Sequence, residues 1–502
     1  MSADLVRIRL EPLAVEFEAA RNAPLLALLA DHGVEFPCGG EGICGGCRVR
    51  VLSGTLPVAS ADCIHFSPEE LSDGWRLACH ARAAEPVVIA CSQWRMDVLS
   101  DDIRIVAAGK PGLGIAIDLG TTTIAAQMID LRSGDVLAVE AMLNPQAAFG
   151  SDVMSRIRAV LHGADLTSVI RTALGEVIAR LASGREREIT EVLLAGNTVM
   201  HHLFCGLDVE PLSHVPFASP SLGEQRFGPR DLGWGLPADC AIRFAPCIGG
   251  FVGADIRAGI IATGMPQSDE LIALIDLGTN GEIAIGNRHG IVCASTAAGP
   301  AFEAGAIRMG MRAVTGAVSH VSLTNGRMHA TVIGDVAPRG ICGSGLVDAV
   351  AAGLRGSVVL PSGRIANGTK VLPVADPVVL YQSDIRELQL AKGAIAAGFK
   401  LLLGHIGASV KQLHSIYLAG AFGNYVQIDS ALAIGLLDAP KQIIHAAGNT
   451  ALRGAKMLLM QTGSPCLPEI RHINLAADPG FQDEFAACMA FPEPAEIIQI
   501  AN

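Results

Sequence analysis

At 502 residues, half of them hydrophobic and 17% charged, the chain is long enough for roughly two to four domains with large cores. Its formal net charge of −12 argues against nucleic acid as a partner, because phosphates would repel it. No apolar run reaches the ~18 residues of a membrane span, and Met1–Arg7 lacks the apolar core of a signal peptide, so a cytoplasmic protein without membrane contact is expected.

In chain order, Leu5–Leu10 and Ala14–Phe17 alternate like strands, Pro24–Ala30 reads as a short helix, and Arg48–Val51 and Val87–Ala90 read as further strands. Between the helix and the third strand lies a glycine-rich stretch, Phe36–Cys47, carrying Cys38, Cys44 and Cys47. A fourth cysteine, Cys79, follows Trp75-Arg-Leu-Ala. The spacing C-x5-C-x2-C with a distant fourth Cys suits a [2Fe–2S] cluster on four thiolates, and the plant-type C-x4-C-x2-C…C pattern is a near relative. The glycines let the loop wrap closely and turn its N–H groups toward sulfide. The rival is a structural zinc site, but zinc favours matched C-x2-C pairs, and here one C-x5-C overlaps one C-x2-C. Strand, strand, helix, cysteine loop and strand is the order of a β-grasp domain. Residues 1–97 resemble the [2Fe–2S] ferredoxins, and the x5 spacing is closest to the adrenodoxin-like branch. Of thirteen cysteines, the other nine are scattered and read as reduced thiols, mostly small core residues.

The pentapeptide Ile-Asp-Leu-Gly-Thr then occurs twice, at Ile117–Thr121 and Ile275–Thr279. Each copy ends an apolar run, Leu113–Asp118 or Leu271–Asp276, and precedes another, Thr123–Ile129 or Glu282–Ile285. Each copy therefore predicts a β-hairpin with Asp, Gly and Thr at its turn. A weaker repeat pairs Val192–Gly196 with Ile416–Gly420, both apolar strands ending in Ala-Gly. Two such turns make a phosphate clamp. Backbone N–H groups and threonine hydroxyls of Gly120, Thr121, Thr122, Gly278, Thr279 and Asn280 would grip phosphate oxygens, and Asp118 and Asp276 sit where they hold Mg²⁺, usually through water.

This constellation resembles the acetate kinase, sugar kinase, Hsp70 and actin superfamily, a duplicated actin-like (ribonuclease H-like) α/β ATPase fold. The resemblance implies that the two turns bind the phosphates of ATP and that Leu418–Gly423 binds adenosine, with Gly420, Ala421 and Gly423 packed against the nucleoside. Gly196–His202, Ala298–Glu303, Arg339–Gly345 and Asp384–Lys392 look like one branch, the reductive activators of corrinoid (cobalamin-type) methyltransferases. That resemblance covers nearly the whole chain. One departure is that some members carry an extra domain between cluster and ATPase, where this chain has only the short stretch near Trp94 to Lys110. The expected layout is a ferredoxin-like domain at 1–97, a linker at 98–111, and ATPase lobes at 112–270 and 271–502.

Several residues have two readings. Asp118 and Asp276 are the catalytic candidates, as Mg²⁺ holders or as groups orienting an attacking water, against carboxylates that merely cap turns. The threonines contact phosphate or stabilise their turns. Glu282 positions water or is an exposed strand residue. Gly343 and Gly345 open a helix over Leu346–Val350, offering N–H groups to an anion or allowing close helix packing. Cys342 beside them reads as structural. His201 and His202, on a helix opened by Asn197-Thr198, read as packed or interface histidines rather than cobalt ligands. Asp384–Lys400 reads as an amphipathic helix whose Lys392 reaches the nucleotide or is solvated. The apolar Cys247–Met265, with Asp255 and Arg257, reads as a buried turn.

A one-electron carrier joined to an ATP clamp makes sense when electrons must go uphill. Plant-type clusters lie near about −400 mV. The resemblance puts the cob(II)alamin/cob(I)alamin couple lower still, and each ~59 mV of mismatch costs a factor of ten. The expected function is ATP-dependent reductive reactivation of a corrinoid methyltransferase or corrinoid protein, Co(II) to Co(I), with electrons from an upstream ferredoxin, flavodoxin or reductase. A hinge between the lobes would accompany it. Competing readings are a small-molecule kinase with a regulatory cluster, an electron activator of a radical dehydratase, and a binding module with a vestigial ATP site. Dehydratase activators carry their cluster inside the ATPase, unlike this layout. The sequence leaves the corrinoid partner and the oligomeric state, a homodimer included, open.

Overall fold

The computed structural model describes residues 5–11, 15–30, 34, 42, 47–91, 109–150, 152–278, 280–461 and 466–493. Cys38, Cys44, Thr279 and most of the expected linker lie outside them. The chain divides into two compact units: Met1–Asp97 with Gly299–Leu390 and Phe491–Asn502, and Val98–Ala298 with Ala391–Ala490. Among the described residues, no helix is long and apolar enough to cross a membrane.

In the first unit, β1 (Leu5–Glu11), β2 (Val15–Ala20), β3 (Arg48–Ser53), β4 (Trp75–Leu77) and β5 (Val87–Cys91) form one sheet in the order β2-β1-β5-β3-β4. Alternation is what builds it. Val6, Ile8 and Leu10 are buried while Leu5 and Arg7 face solvent, because side chains along a strand alternate between faces. The expected short helix is Leu25–Ala30, anchored by buried Leu25 and Leu29.

The second unit begins with β6 (Leu113–Leu119), β7 (Thr123–Asp130), β8 (Val136–Leu143), β9 (Ile189–Gly196), β10 (Gln225–Phe227) and β11 (Ala241–Phe244), ordered β10-β11-β9-β6-β7-β8. Next come β12 (Leu271–Leu277), β13 (Gly281–Asn287) and β14 (Gly290–Thr296). Residues of the first unit then intervene. They carry a three-stranded sheet, β15 (Ala317–Thr324), β16 (Arg327–Val332) and β17 (Gly340–Ile341), and a hairpin, β18 (Val371–Ala375) and β19 (Val378–Tyr381). The helix Gly343–Arg355 packs on β15. The helix Gln382–His405 carries the chain back, and β20 (Leu413–Ala419), β21 (Ile444–Gly448) and β22 (Ile470–His472) complete a sheet ordered β21-β20-β12-β13-β14-β22.

The duplication seen in the sequence is structural. In each sheet an antiparallel hairpin, β6–β7 or β12–β13, lies in the interior, and a strand from the weaker repeat, β9 or β20, joins it in parallel. Asp118 stands opposite Ala195 and Asp276 opposite Ala419 in matching registers. The apolar runs are almost continuous because both faces are covered. The helix Thr450–Met460, from the second repeat, lays Leu452, Ala455 and Leu459 into the core of the first sheet. The helix Ala254–Ala262, from the first repeat, lays Ile256 and Ile260 into the core beside Leu274 and Ala284. The two helices touch at Gly454, where a Cβ would come 1.9 Å from the Ala258 carbonyl oxygen.

Candidate functional site

Two sets of residues carry chemistry. In the ferredoxin-like sheet, Cys47 immediately precedes β3 and Cys79 follows β4, and these strands pair antiparallel, so Arg48 stands opposite Leu77. The Ala78 N–H donates to the Cys47 carbonyl at 2.9 Å. The Cys79 N–H points at Cys47 Sγ, 3.5 Å away. Buried Asp62 holds the approach to Cys79, accepting from the Leu77 N–H and the Ala59 N–H at 2.7 Å each. A His65 ring nitrogen bonds the Gly42 carbonyl at 2.7 Å. Two cysteines distant in sequence are thus adjacent, with a backbone donor on sulfur. That donor set fits a thiolate-bound [2Fe–2S] cluster.

In the second unit, the ends of the duplicated hairpins gather carboxylates. Asp118 and Asp276 are the penultimate residues of β6 and β12. Glu282 is the cross-strand partner of Asp276. It is buried, not an exposed strand residue, and accepts from the Ser295 hydroxyl at 3.5 Å. Asp255 lies in the first turn of the helix Ala254–Ala262. Its Oδ1 accepts from the Ile256 N–H at 2.8 Å, a favourable place for a carboxylate at a helix N-terminus. Loss of hydration pushes Asp118 up to about 7, and the charge of Asp255 adds to it, while a hydrogen bond from Asn449 opposes. Asp276 is pushed up to about 7 by burial and then by the charges of Asp255 and Asp118. Asp255 and Glu282 are raised as well, chiefly by burial.

Asparagines fix these turns. Asn449 caps the helix Thr450–Met460, accepting from the Leu452 N–H, while its Nδ2 donates to Asp118 Oδ2 at 2.8 Å. Asn144 Nδ2 donates to the Gly120 carbonyl at 2.9 Å and Asn197 Nδ2 to Thr121 Oγ1 at 2.8 Å. The Gly120 N–H closes its turn on the Thr123 carbonyl at 3.0 Å, and the Gly278 N–H reaches the Asn280 carbonyl at 3.2 Å. Gly420 begins the short helix Gly420–Tyr425 at φ +81°, and a Cβ there would lie 2.5 Å from Asp276 Oδ1. Only glycine lets β20 end against that carboxylate. Gly423 closes on Leu418, and Ala421 lies in the same helix.

The fold therefore brings Asp118, Asp276, the Gly120–Thr122 turn, Gly278, Asn280 and the Gly420–Gly423 segment into one unit. Gly343 and Gly345 belong to the other. Gly345 has a packing reason of its own, since a Cβ there would meet the Val318 carbonyl at 2.1 Å. Cys342 is buried with its thiol toward that carbonyl. His201 and His202 are packed histidines. Both are buried, His202 bonds Ser219 Oγ at 2.6 Å, and His201 lies edge-on to Phe244. Lys392 is not solvated. It is buried with its ammonium donating to the Ala490 carbonyl. Cys247–Met265 is a turn followed by a helix, Ala254–Ala262. Sequence reasoning missed Asp255 and Asn449 as site residues. The helix-start glycine Gly253 before Ala-Asp was the available signal for the first.

Fold and sites together define a class, an iron–sulfur domain joined to an actin-like ATPase. Residues 8–84 match the family model of the 2Fe-2S iron-sulfur cluster binding domain. Residues 113–268 match the RACo middle region, and 270–499 the C-terminal domain of RACo, the ASKHA domain. The chain is 36% identical to the corrinoid activation enzyme RamQ of Eubacterium limosum, over 75% of this chain and 70% of that protein. It is 27% identical to the [Co(II) methylated amine-specific corrinoid protein] reductase of Methanosarcina barkeri, over 69% and 70%. The solved structure of a reductive activator for corrinoid, iron-sulfur protein superposes with a TM-score of 0.66 at 26% identity, covering 97% of this chain and 98% of that one. The chain belongs to the RACo family.

Proposed function

We propose that this protein is an ATP-hydrolysing activator that reduces the Co(II) form of a corrinoid methyltransferase or corrinoid protein to Co(I). The observation that carries this is the set of carboxylates, Asp118, Asp255, Asp276 and Glu282, at the ends of two repeated hairpins in a chain that also holds Cys47 and Cys79 together. The proposed layout is a ferredoxin-like domain at 1–97, a linker at 98–111, and ATPase lobes at 112–270 and 271–502.

Cys38, Cys44, Cys47 and Cys79 would hold the [2Fe–2S] cluster, which when bound supplies a one-electron carrier. Asp118 and Asp276 would hold Mg²⁺. Carboxylates at such turns usually hold Mg²⁺ through water. The Gly120–Thr122 and Gly278–Asn280 turns bind phosphate, and Gly420, Ala421 and Gly423 accommodate adenosine. Gly343 and Gly345 offer further N–H groups. A divalent ion would offset the negative charge that, after burial, raises Asp118 and Asp276. Nucleotide then changes which conformation of the complex is favoured, through its differential affinity for the two. A cytoplasmic location, an upstream ferredoxin, flavodoxin or reductase as donor, and a homodimer complete the reading.

The test is anaerobic. Reduced protein is mixed with a Co(II) corrinoid methyltransferase from the same source, and Co(I) absorption is followed with and without MgATP. Co(I) appearing only with MgATP supports the proposal. No Co(I) with any corrinoid partner, despite an intact cluster and working ATPase, would turn the assignment to a kinase or a dehydratase activator.

A further inference from the structure

The Gly120–Thr122 turn is gripped from behind by a buried cation that the carboxylate group does not use. Arg156, on the helix Val153–Leu161, is fully buried. Its guanidinium donates to the Thr121 carbonyl at 2.6 Å, the Gly150 carbonyl at 3.1 Å, Gln146 Oε1 at 3.4 Å and, weakly, Met200 Sδ at 3.5 Å. None of these acceptors is charged. Asp152 lends some favourable charge, but its carboxylate is turned to Ser155, accepting from that residue's N–H at 2.9 Å and hydroxyl at 2.6 Å. Burial pulls the guanidinium down to about 9, so the free protein holds this cation at a cost.

The position of the cation suggests what offsets that cost. Asn144 holds the Gly120 carbonyl and Arg156 holds the Thr121 carbonyl. In a planar trans peptide the N–H points opposite to the C=O. The Thr122 N–H is therefore aimed away from Arg156, and the Thr121 N–H away from Asn144. We propose that Arg156 is a positioning residue for nucleotide phosphate: it fixes the Thr121–Thr122 peptide, whose N–H donates to phosphate, and sets a positive charge behind it. This rests on reading Gly120–Thr122 as a phosphate turn. The effect is electrostatic preorganisation, with a fixed charge in place before the anion arrives.

The experiment is calorimetric titration of the cluster-loaded protein with MgATP, MgADP and adenosine, for wild type, Arg156→Met, Arg156→Lys and Asp276→Asn. Loss of a unit charge in a low-dielectric interior should weaken MgATP and MgADP in Arg156→Met by about tenfold or more, with adenosine within about twofold. Arg156→Lys keeps the charge but loses the planar fork, so an intermediate loss of about threefold is expected, confined to the phosphate-bearing ligands. Wild-type MgADP affinity in Arg156→Met, with a clear loss in Asp276→Asn, overturns this inference alone. Wild-type affinity in both variants overturns the phosphate-turn reading itself. Should Arg156→Met not fold, Arg156→Lys decides. A loss confined to MgATP and MgADP supports the role, and a loss shared with adenosine, or none, overturns it.

Discussion

Replacing Gly420 by alanine tests the geometry of the proposed nucleotide site most directly. The added Cβ would lie 2.5 Å from Asp276 Oδ1 and 2.8 Å from the Leu277 carbonyl oxygen, on a backbone at φ +81°. Left-handed alanine alone costs about 1–2 kcal/mol. Restoring an ordinary contact of roughly 3.5 Å requires a displacement of about 1 Å. Leu277 is backbone in β12, paired to Gly281 of β13, so it yields little. The Asp276 carboxylate, the end of a side chain, takes most of the movement. A misplacement of about 1 Å at a reacting centre costs on the order of 10²-fold in rate. Gly420→Ala should therefore lower kcat for MgATP hydrolysis about 10²-fold, with a fall in Tm of only several degrees for a ~1–2 kcal/mol strain. Hydrolysis and thermal melting are measured side by side on the same preparation. A kcat within twofold of wild type refutes the reasoning. A raised KM with kcat intact would assign Gly420 to the nucleoside alone.

Three further outcomes are expected. Asp118 is raised from 3.8 in the unfolded chain to about 7, so its stabilising contribution is present below pH 4 and is lost as pH rises through about 7. Without Mg²⁺, Asp118→Asn should gain in Tm over wild type more at pH 8 than at pH 5, and an equal difference at both would contradict the assignment. Cys47→Ser removes a cluster thiolate and the sulfur acceptor of the Cys79 N–H. It should lose iron and visible absorption and form no Co(I), while binding MgATP within about twofold of wild type, since Asp118, Asp276 and Gly420 lie in the other unit. Gly454→Leu forces a side chain onto the Ala258 carbonyl. Overpacking at that helix crossing should cost about 1–3 kcal/mol, read as a lower Tm with the cluster spectrum unchanged.

The features legible in the sequence were local ones. Strand alternation around Val6, Ile8 and Leu10 and the glycine-rich cysteine spacing identified the ferredoxin-like domain. The repeated Ile-Asp-Leu-Gly-Thr identified both hairpins, and the Ala-Gly strand endings foretold that β9 and β20 hold equivalent places. These succeed because period-two hydrophobicity and turn residues are properties of a few neighbouring residues. Gly343 and Gly345 show the limit. A glycine-rich helix start reads the same whether it faces an anion or, as Gly345 does, a neighbouring carbonyl.

Tertiary structure decided what depends on distant elements meeting. Asn449 lies 331 residues from Asp118, and its helix cap looks ordinary until Nδ2 is seen on that carboxylate. Glu282 and Lys392 are charged side chains that a sequence leaves in solvent, yet one is drawn among carboxylates and the other onto a carbonyl. Asp255 raises Asp118 and Asp276 because a helix from the first repeat reaches the sheet of the second. Arg156 reaches the Thr121 carbonyl from 35 residues further along the chain. Periodicity reports which face of an element is apolar. It does not report which partner covers that face, and the charge, burial and hydrogen bonding of a site follow from that partner.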